Sequence, residues 1–232
     1  MSNELILLCS VPVVFGAVLL AYKFFGKAGL FAFTAAITIL ANIEVIVLVD
    51  AFGIRQTLGN VLFAATFLIT DILSECEGKR EADRAVYIGI AVSVFFLIIS
   101  QSWFLYTPAP QDTALAVIQT AFARTPRMLI ASFLVYAVCQ LLDVWLYHRV
   151  WHFTAKRAGD SRRLLWLRNT LATVVSQLVN AALFTLFAFG GVYDRQTLVG
   201  VFISSFAVYA ATSLLDTPFV YLARRIGEKR HG

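Results

Sequence analysis

The chain has 232 residues, of which 59% are hydrophobic and 14% charged, against roughly 45–50% and about 25% in soluble domains. That composition excludes a soluble catalytic domain, because nothing long and polar remains between the apolar stretches. The net charge of +5 does not mark a nucleic-acid binder: the basic residues fall in short runs between those stretches, where cytoplasmic anchors of membrane helices sit.

A bilayer core of about 30 Å takes about 20 apolar residues in a helix. Residues 5–25, 30–49, 58–73, 85–105, 128–147, 170–189 and 198–222 qualify, the third being shortest and either tilted or extended toward Glu75. Glu4 stands where the basic start of a cleavable signal would be, so the first stretch reads as a span. Turn chemistry separates the spans at Gly26-Lys27-Ala28-Gly29, Asp50-Ala51-Phe52-Gly53, Thr107-Pro108-Ala109-Pro110 and Gly190-Gly191. Residues 112–124 read as a short amphipathic helix lying on the surface. The expected architecture is all-α: one integral membrane domain over 1–232, a six-helix core of about 30–225 with an additional N-terminal helix in 1–28.

The linkers after spans one, three and five, with the C-terminal tail, hold fifteen of the nineteen Lys and Arg residues; Arg55, Arg124, Arg127 and Arg195 are on the other side. The bias sets the N-terminus outside and the C-terminus in the cytoplasm, and the run from Lys156 to Arg168 reads as a topology anchor. Asp71, Asp143 and Asp216 recur at 72 and 73 residues, each after an apolar run and before a basic anchor, which suggests three helical hairpins. Cys9, Cys76 and Cys139 are odd in number and lack metal-site spacing, so they read as packing residues.

An ionisable group in a span is costly, by about 2.5–3.5 kcal/mol at the centre on insertion scales, so the polar residues within spans are the candidate site. Span two carries Asn42 and Glu44. Span three carries Asp71 and Glu75, four apart on one face; Glu75 could also cap its helix or pair with Lys79. Span five carries Gln140 and Asp143, and span six Ser176, Gln177 and Asn180 with Arg168 at its start. Span seven carries Asp216 before Pro218, which frees a backbone carbonyl. A cavity lined by carboxylates and amides suits a flat molecule rich in N–H donors, although the amides could equally join helices and Glu44 could snorkel. His148, His152 and His231 fall at or beyond the cytoplasmic border, and there is no P-loop, so enzyme readings fare poorly and no cofactor or metal is expected.

Phe67-Leu68-Ile69-Thr70-Asp71-Ile72-Leu73-Ser74-Glu75 with Gly78-Lys79 and Arg84 forms one block. Ala131-Ser132-Phe133 through Gln140-Leu141-Leu142-Asp143-Val144, then Trp166-Leu167-Arg168-Asn169 and Ser176-Gln177, forms a second. In order and spacing the two resemble the queuosine precursor transporter family of bacteria and archaea, also called vitamin uptake transporter-like, over about residues 30–225. The resemblance implies uptake of 7-deazaguanines (queuine, preQ1 or preQ0) across the inner membrane for tRNA modification, without a partner ATPase. From the convergence of polar groups on the apolar spans, Asn42, Glu44, Asp71, Gln140, Asp143, Gln177 and Asn180 are expected to bind substrate, with Glu75, Arg168, Ser176 and Asp216 gating or supporting them. Ala172 and Asn180 depart from the family's usual Ser and Asp; the amide keeps hydrogen-bonding capacity at neutral charge. The expected partners are a nucleobase-like small molecule and the lipid bilayer, with no direct nucleic acid and a homo-oligomer left open. A substrate-binding subunit of an energy-coupling-factor transporter and a membrane scaffold are the alternatives.

Overall fold

A computed structural model describes residues 2–123, 126–158 and 164–231; Arg124, Arg162 and Arg163, three of the basic residues weighed above, lie outside them. The elements in order are α1 (Asn3–Glu44), β1 (Leu48–Ala51), β2 (Ile54–Thr57), α2 (Asn60–Cys76), α3 (Lys79–Ser102), α4 (Ala114–Ala123), α5 (Pro126–Ala158), α6 (Leu165–Phe184) and α7 (Arg195–His231). A π-turn over Thr185–Phe189 extends α6.

At 1.5 Å per residue, the 42 residues of α1 would reach about 63 Å, twice the bilayer core. The helix is instead broken at Gly26, whose φ of 61° and ψ of −146° belong to a region essentially reserved for glycine. The Asn3 amide donates to the Asp50 carbonyl at 2.9 Å, and the Phe52 N–H donates to Glu4 Oε1 at 3.2 Å. Both ends of α1 therefore lie at one end of the bundle, and its two halves form a hairpin. Five described helices are long and apolar enough to cross a membrane; the doubled-back α1 and the 17-residue α2 bring the apolar passes to the seven expected.

The second span ends earlier than expected. Its helix stops at Glu44, and residues 48–57 form an antiparallel hairpin, Leu48 opposite Thr57 and Asp50 opposite Arg55. The tip is Phe52-Gly53, both at positive φ (54° and 71°), as a tight hairpin turn requires. The cause is local: Val45, Ile46, Val47 and Val49 make an apolar β-branched run, which hydropathy cannot assign to helix or strand.

In α2 every residue from Asn60 to Ser74 is buried, enclosed by α1, α3, α5 and α7. This explains a stretch that is short yet carries polar groups: it is the axis of the bundle, with no face on lipid. Packing around it is close enough that a side chain at Gly89 of α3 would collide with the Tyr136 hydroxyl of α5.

The two ends differ in chemistry. At the basic end the Tyr22 hydroxyl donates to Glu77 at 3.0 Å, Lys27 lies 3.7 Å from Glu81, and Arg230 donates to the Tyr22 carbonyl at 3.3 Å. At the hairpin end Arg127 donates to the Phe187 carbonyl at 2.7 Å. There α4, the surface helix expected at 112–124, is capped by Asp112, which accepts from the N–H groups of Ala114 and Leu115. Its Phe122 packs edge-on against Trp103 at 5.3 Å. The three cysteines are free.

Candidate functional site: a buried polar layer behind an ion-paired plug

Polar side chains from α2, α5, α6 and α7 meet inside the bundle. On α6, Asn169, Thr173, Ser176, Gln177 and Asn180 recur every three or four residues and are all buried, so one face of the helix is polar and turned inward. Gln140 of α5 clamps α2: its amide donates to Thr66 Oγ1 at 2.6 Å, and its carbonyl lies 3.2 Å from Thr70 Oγ1. Thr173 donates to Asp71 Oδ2 at 3.0 Å, Asn169 donates to Asp216 Oδ1 at 2.7 Å, and Asn180 donates to Gln177 Oε1 at 3.0 Å.

Several groups in this layer have bonding capacity left over. Asp71 Oδ1, Asn169 Oδ1, Ser176 Oγ and Gln177 Nε2 are buried and unpartnered. Asp143 has Asp71, Thr173 and Ser176 as polar neighbours, yet neither of its oxygens closes a hydrogen bond. Buried polar atoms are nearly always paired, so a cluster of free acceptors and donors on three adjacent helices makes this layer the candidate site.

One helical turn toward the hairpin end, Phe67, Cys139 and Asn180 line a narrow cavity of about 10 Å³, room for about one water. Above it, a cleft of about 170 Å³ opens between β2, the start of α2, the end of α6 and α7. Thr57 and Phe184 line both spaces. Between them Asn60 Oδ1 accepts from Thr57 at 2.8 Å and from the Tyr209 hydroxyl at 2.9 Å.

Toward the basic end the layer is sealed. The Arg168 guanidinium, with its side chain fully buried, forks onto Glu75 at 2.6 and 2.7 Å. Tyr147 donates to the same carboxylate at 2.7 Å, and Arg224 approaches it at 3.5 Å. The guanidinium also lies 4.3 Å from the centre of the Trp151 ring, a stacked cation–π contact.

Of the residues expected from sequence, Asp71, Gln140, Asp143, Ser176, Gln177, Asn180 and Asp216 are buried in or beside this layer. The three aspartates of the 72-residue spacing converge, near enough to act on one another. Arg168 is not a border anchor; it is buried with Glu75, which pairs with it and not with Lys79, whose partner at 2.6 Å is Asp83. Asn42 is buried, but its amide donates to the Thr38 carbonyl of its own helix at 2.8 Å. Glu44 is half-buried at the end of α1 and bonds to none of the others. Asn169, Thr173, Tyr147, Trp151 and Arg224 were not singled out as site residues; the stripe on α6 carries the signal for the first two.

A bundle of apolar helices around a polar layer, open by a cleft at one end and plugged by an ion pair at the other, defines a polytopic membrane transporter. Residues 57–223 match the family described as "Putative vitamin uptake transporter", and the chain belongs to that family. It is 38% identical over 209 residues to the "Probable queuosine precursor transporter" of Bacillus subtilis (strain 168), covering 90% of this chain and 89% of the relative. No solved structure matches significantly.

Proposed function

We propose that this transporter imports queuosine precursors, 7-deazaguanines such as queuine, preQ1 or preQ0, across the bacterial cytoplasmic membrane for tRNA modification. Its N-terminus and β-hairpin face outward, and the basic end and C-terminus face the cytoplasm, in keeping with the Lys/Arg bias. The reading takes its substrate class from the 38% identical relative and its binding mode from the unpartnered atoms of the polar layer. The guanine-like edge of such a ring presents N1–H and a 2-amino group beside a carbonyl. Asp71 accepts the two N–H groups, Gln177 donates to the carbonyl, and Gln140 and Asn180 fix the orientation of the ring.

The cavity of about 10 Å³ is far smaller than a purine-sized ligand, so binding requires the helices to part. The plug of Arg168 and Glu75 must break for release into the cytoplasm, which is the rocking motion of alternating access.

The observation that carries the proposal is the set of buried, unpaired acceptors and donors on α2, α5 and α6. The test is thermal unfolding of the purified protein with queuine, preQ1, preQ0 and guanine added separately, since a ligand that binds the folded state raises its stability. A 7-deazaguanine raises the unfolding temperature, and Asp71→Asn abolishes the shift. An unchanged unfolding temperature with all four, in protein that unfolds cooperatively, rules the substrate class out.

A further inference from the structure

Among the described residues, the charges in the polar layer do not balance. Asp71 of α2, Asp143 of α5 and Asp216 of α7 are at most 2% exposed and lie within electrostatic reach of one another. The nearest cations are committed elsewhere: Arg168 forks onto Glu75 and Arg224 leans on the same carboxylate. The remaining groups that face the layer do not compensate. Cys139 and Tyr147 on α5 are neutral thiol and phenol groups, while Asn169, Thr173, Ser176 and Gln177 of α6 carry no charge. Tyr22 is the titratable group on the buried face of α1. Glu81 of α3 is held by Arg84 at 2.8 Å at the basic end, and the His148 ring stacks on Trp151 at 5.7 Å.

Three ionised carboxylates cannot share such a site: each loses hydration and each repels the others. Asp216 has donors of its own, Asn169 at 2.7 Å and Thr217 at 3.5 Å. Asp71 and Asp143 are neighbours, and Asp143 has no bond on either oxygen. An ionised carboxylate only accepts hydrogen bonds, so two facing carboxyl groups bond when one of them holds a proton.

We propose that the chain is a proton symporter, in which the Asp71–Asp143 pair takes up one proton from the outer side with each substrate and releases it to the cytoplasm. The two carboxyl groups share that proton, leaving Asp71 Oδ1 to accept the substrate's two N–H groups. When the plug at Glu75 and Arg168 opens, water reaches the pair; substrate and proton leave together, and the protonated carboxyl of the pair passes its O–H proton to that water. A sodium ion fits less well. Sodium sites in transporters draw on unwound backbone carbonyls, whereas α2 and α5, which carry the pair, run unbroken through the layer, and Pro218 lies on α7 beside Asp216, which has donors of its own. A proton needs only the carboxyl pair.

The inference rests on the transport reading above and is tested with the full chain in liposomes holding an impermeant pH dye. Radiolabelled queuine and preQ0 are supplied under an inward proton gradient, an inward sodium gradient, or neither. PreQ0 has no basic amine, so a proton that accompanies it is not its own. The expected result is several-fold faster uptake under the proton gradient alone, with the lumen acidifying in step with preQ0 entry. Whatever uptake Asp143→Asn retains is not accelerated by the gradient and carries no proton, while Asp143→Glu responds to it. Should either variant fail to fold, the wild-type acidification decides alone. Uptake without acidification, or uptake driven by sodium, overturns proton coupling and leaves the substrate intact; absence of both binding and uptake overturns the transport reading itself.

Discussion

Arg168 illustrates how far a residue's role can lie from its sequence neighbourhood. It closes the basic run from Lys156, and by charge alone it belongs to the membrane border. Its partner Glu75 is 93 residues away, and long-range pairing leaves no local mark. Removing one member of a buried ion pair strands the other, at about 3–5 kcal/mol. Glu75→Gln is therefore expected to lose about that much stability in denaturant unfolding, and Glu75→Gln with Arg168→Met to recover most of it. Gln177 was legible because an amide inside a span needs a partner, whereas Thr173, a hydroxyl that can bond its own helix, gives no such signal. If Gln177 donates to the substrate carbonyl, Gln177→Leu removes one neutral hydrogen bond worth about 0.5–1.5 kcal/mol. The measured Kd should then rise by roughly two- to tenfold, and the unfolding temperature without ligand should fall as well, because buried Asn180 loses its acceptor.

At the level of elements, hydropathy located every apolar pass and misjudged one end. The first two spans are one interrupted helix whose reversal depends on Gly26, where an added Cβ would also sit 2.6 Å from the Arg230 guanidinium. Gly26→Ala is expected to destabilise the protein by about 1–3 kcal/mol through backbone strain. In unfolding experiments the loss should exceed that of Gly16→Ala, whose site is helical and open. The hairpin at 48–57 was hidden for the reason that made span two look long: an apolar β-branched run reads the same in helix and strand. The amphipathic helix after span four was clearer, since Asp112 supplies a cap and Gln119 reaches back to the carbonyls of Trp103 and Tyr106 at 2.7 and 3.0 Å.

Across the whole molecule, the spacing of Asp71, Asp143 and Asp216 was the sequence's faint trace of a three-dimensional fact, the convergence of α2, α5 and α7 on one layer. The Lys/Arg asymmetry marks the two ends as chemically distinct. If the basic end is cytoplasmic, a fluorescent protein fused after Gly232 matures and fluoresces, while alkaline phosphatase inserted at the Phe52-Gly53 turn is active. The reverse pattern would invert the proposed direction of access.

The burial of α2 on every side also constrains how the protein is made. Its 17 residues include Asn60, Thr66, Thr70, Asp71, Ser74 and Glu75, too polar a set to rest in lipid, where an aspartate near mid-helix alone opposes insertion by about 2.5–3.5 kcal/mol. The residues that satisfy it are made later: Gln140 comes 70 residues after Thr70 and Thr173 comes 102 after Asp71. The nascent segment must therefore wait beside the translocation channel, sheltered by the α1 hairpin and α3, until α5 and α6 emerge. Synthesis from the N-terminus delivers the axis of the bundle early, and assembly completes it last.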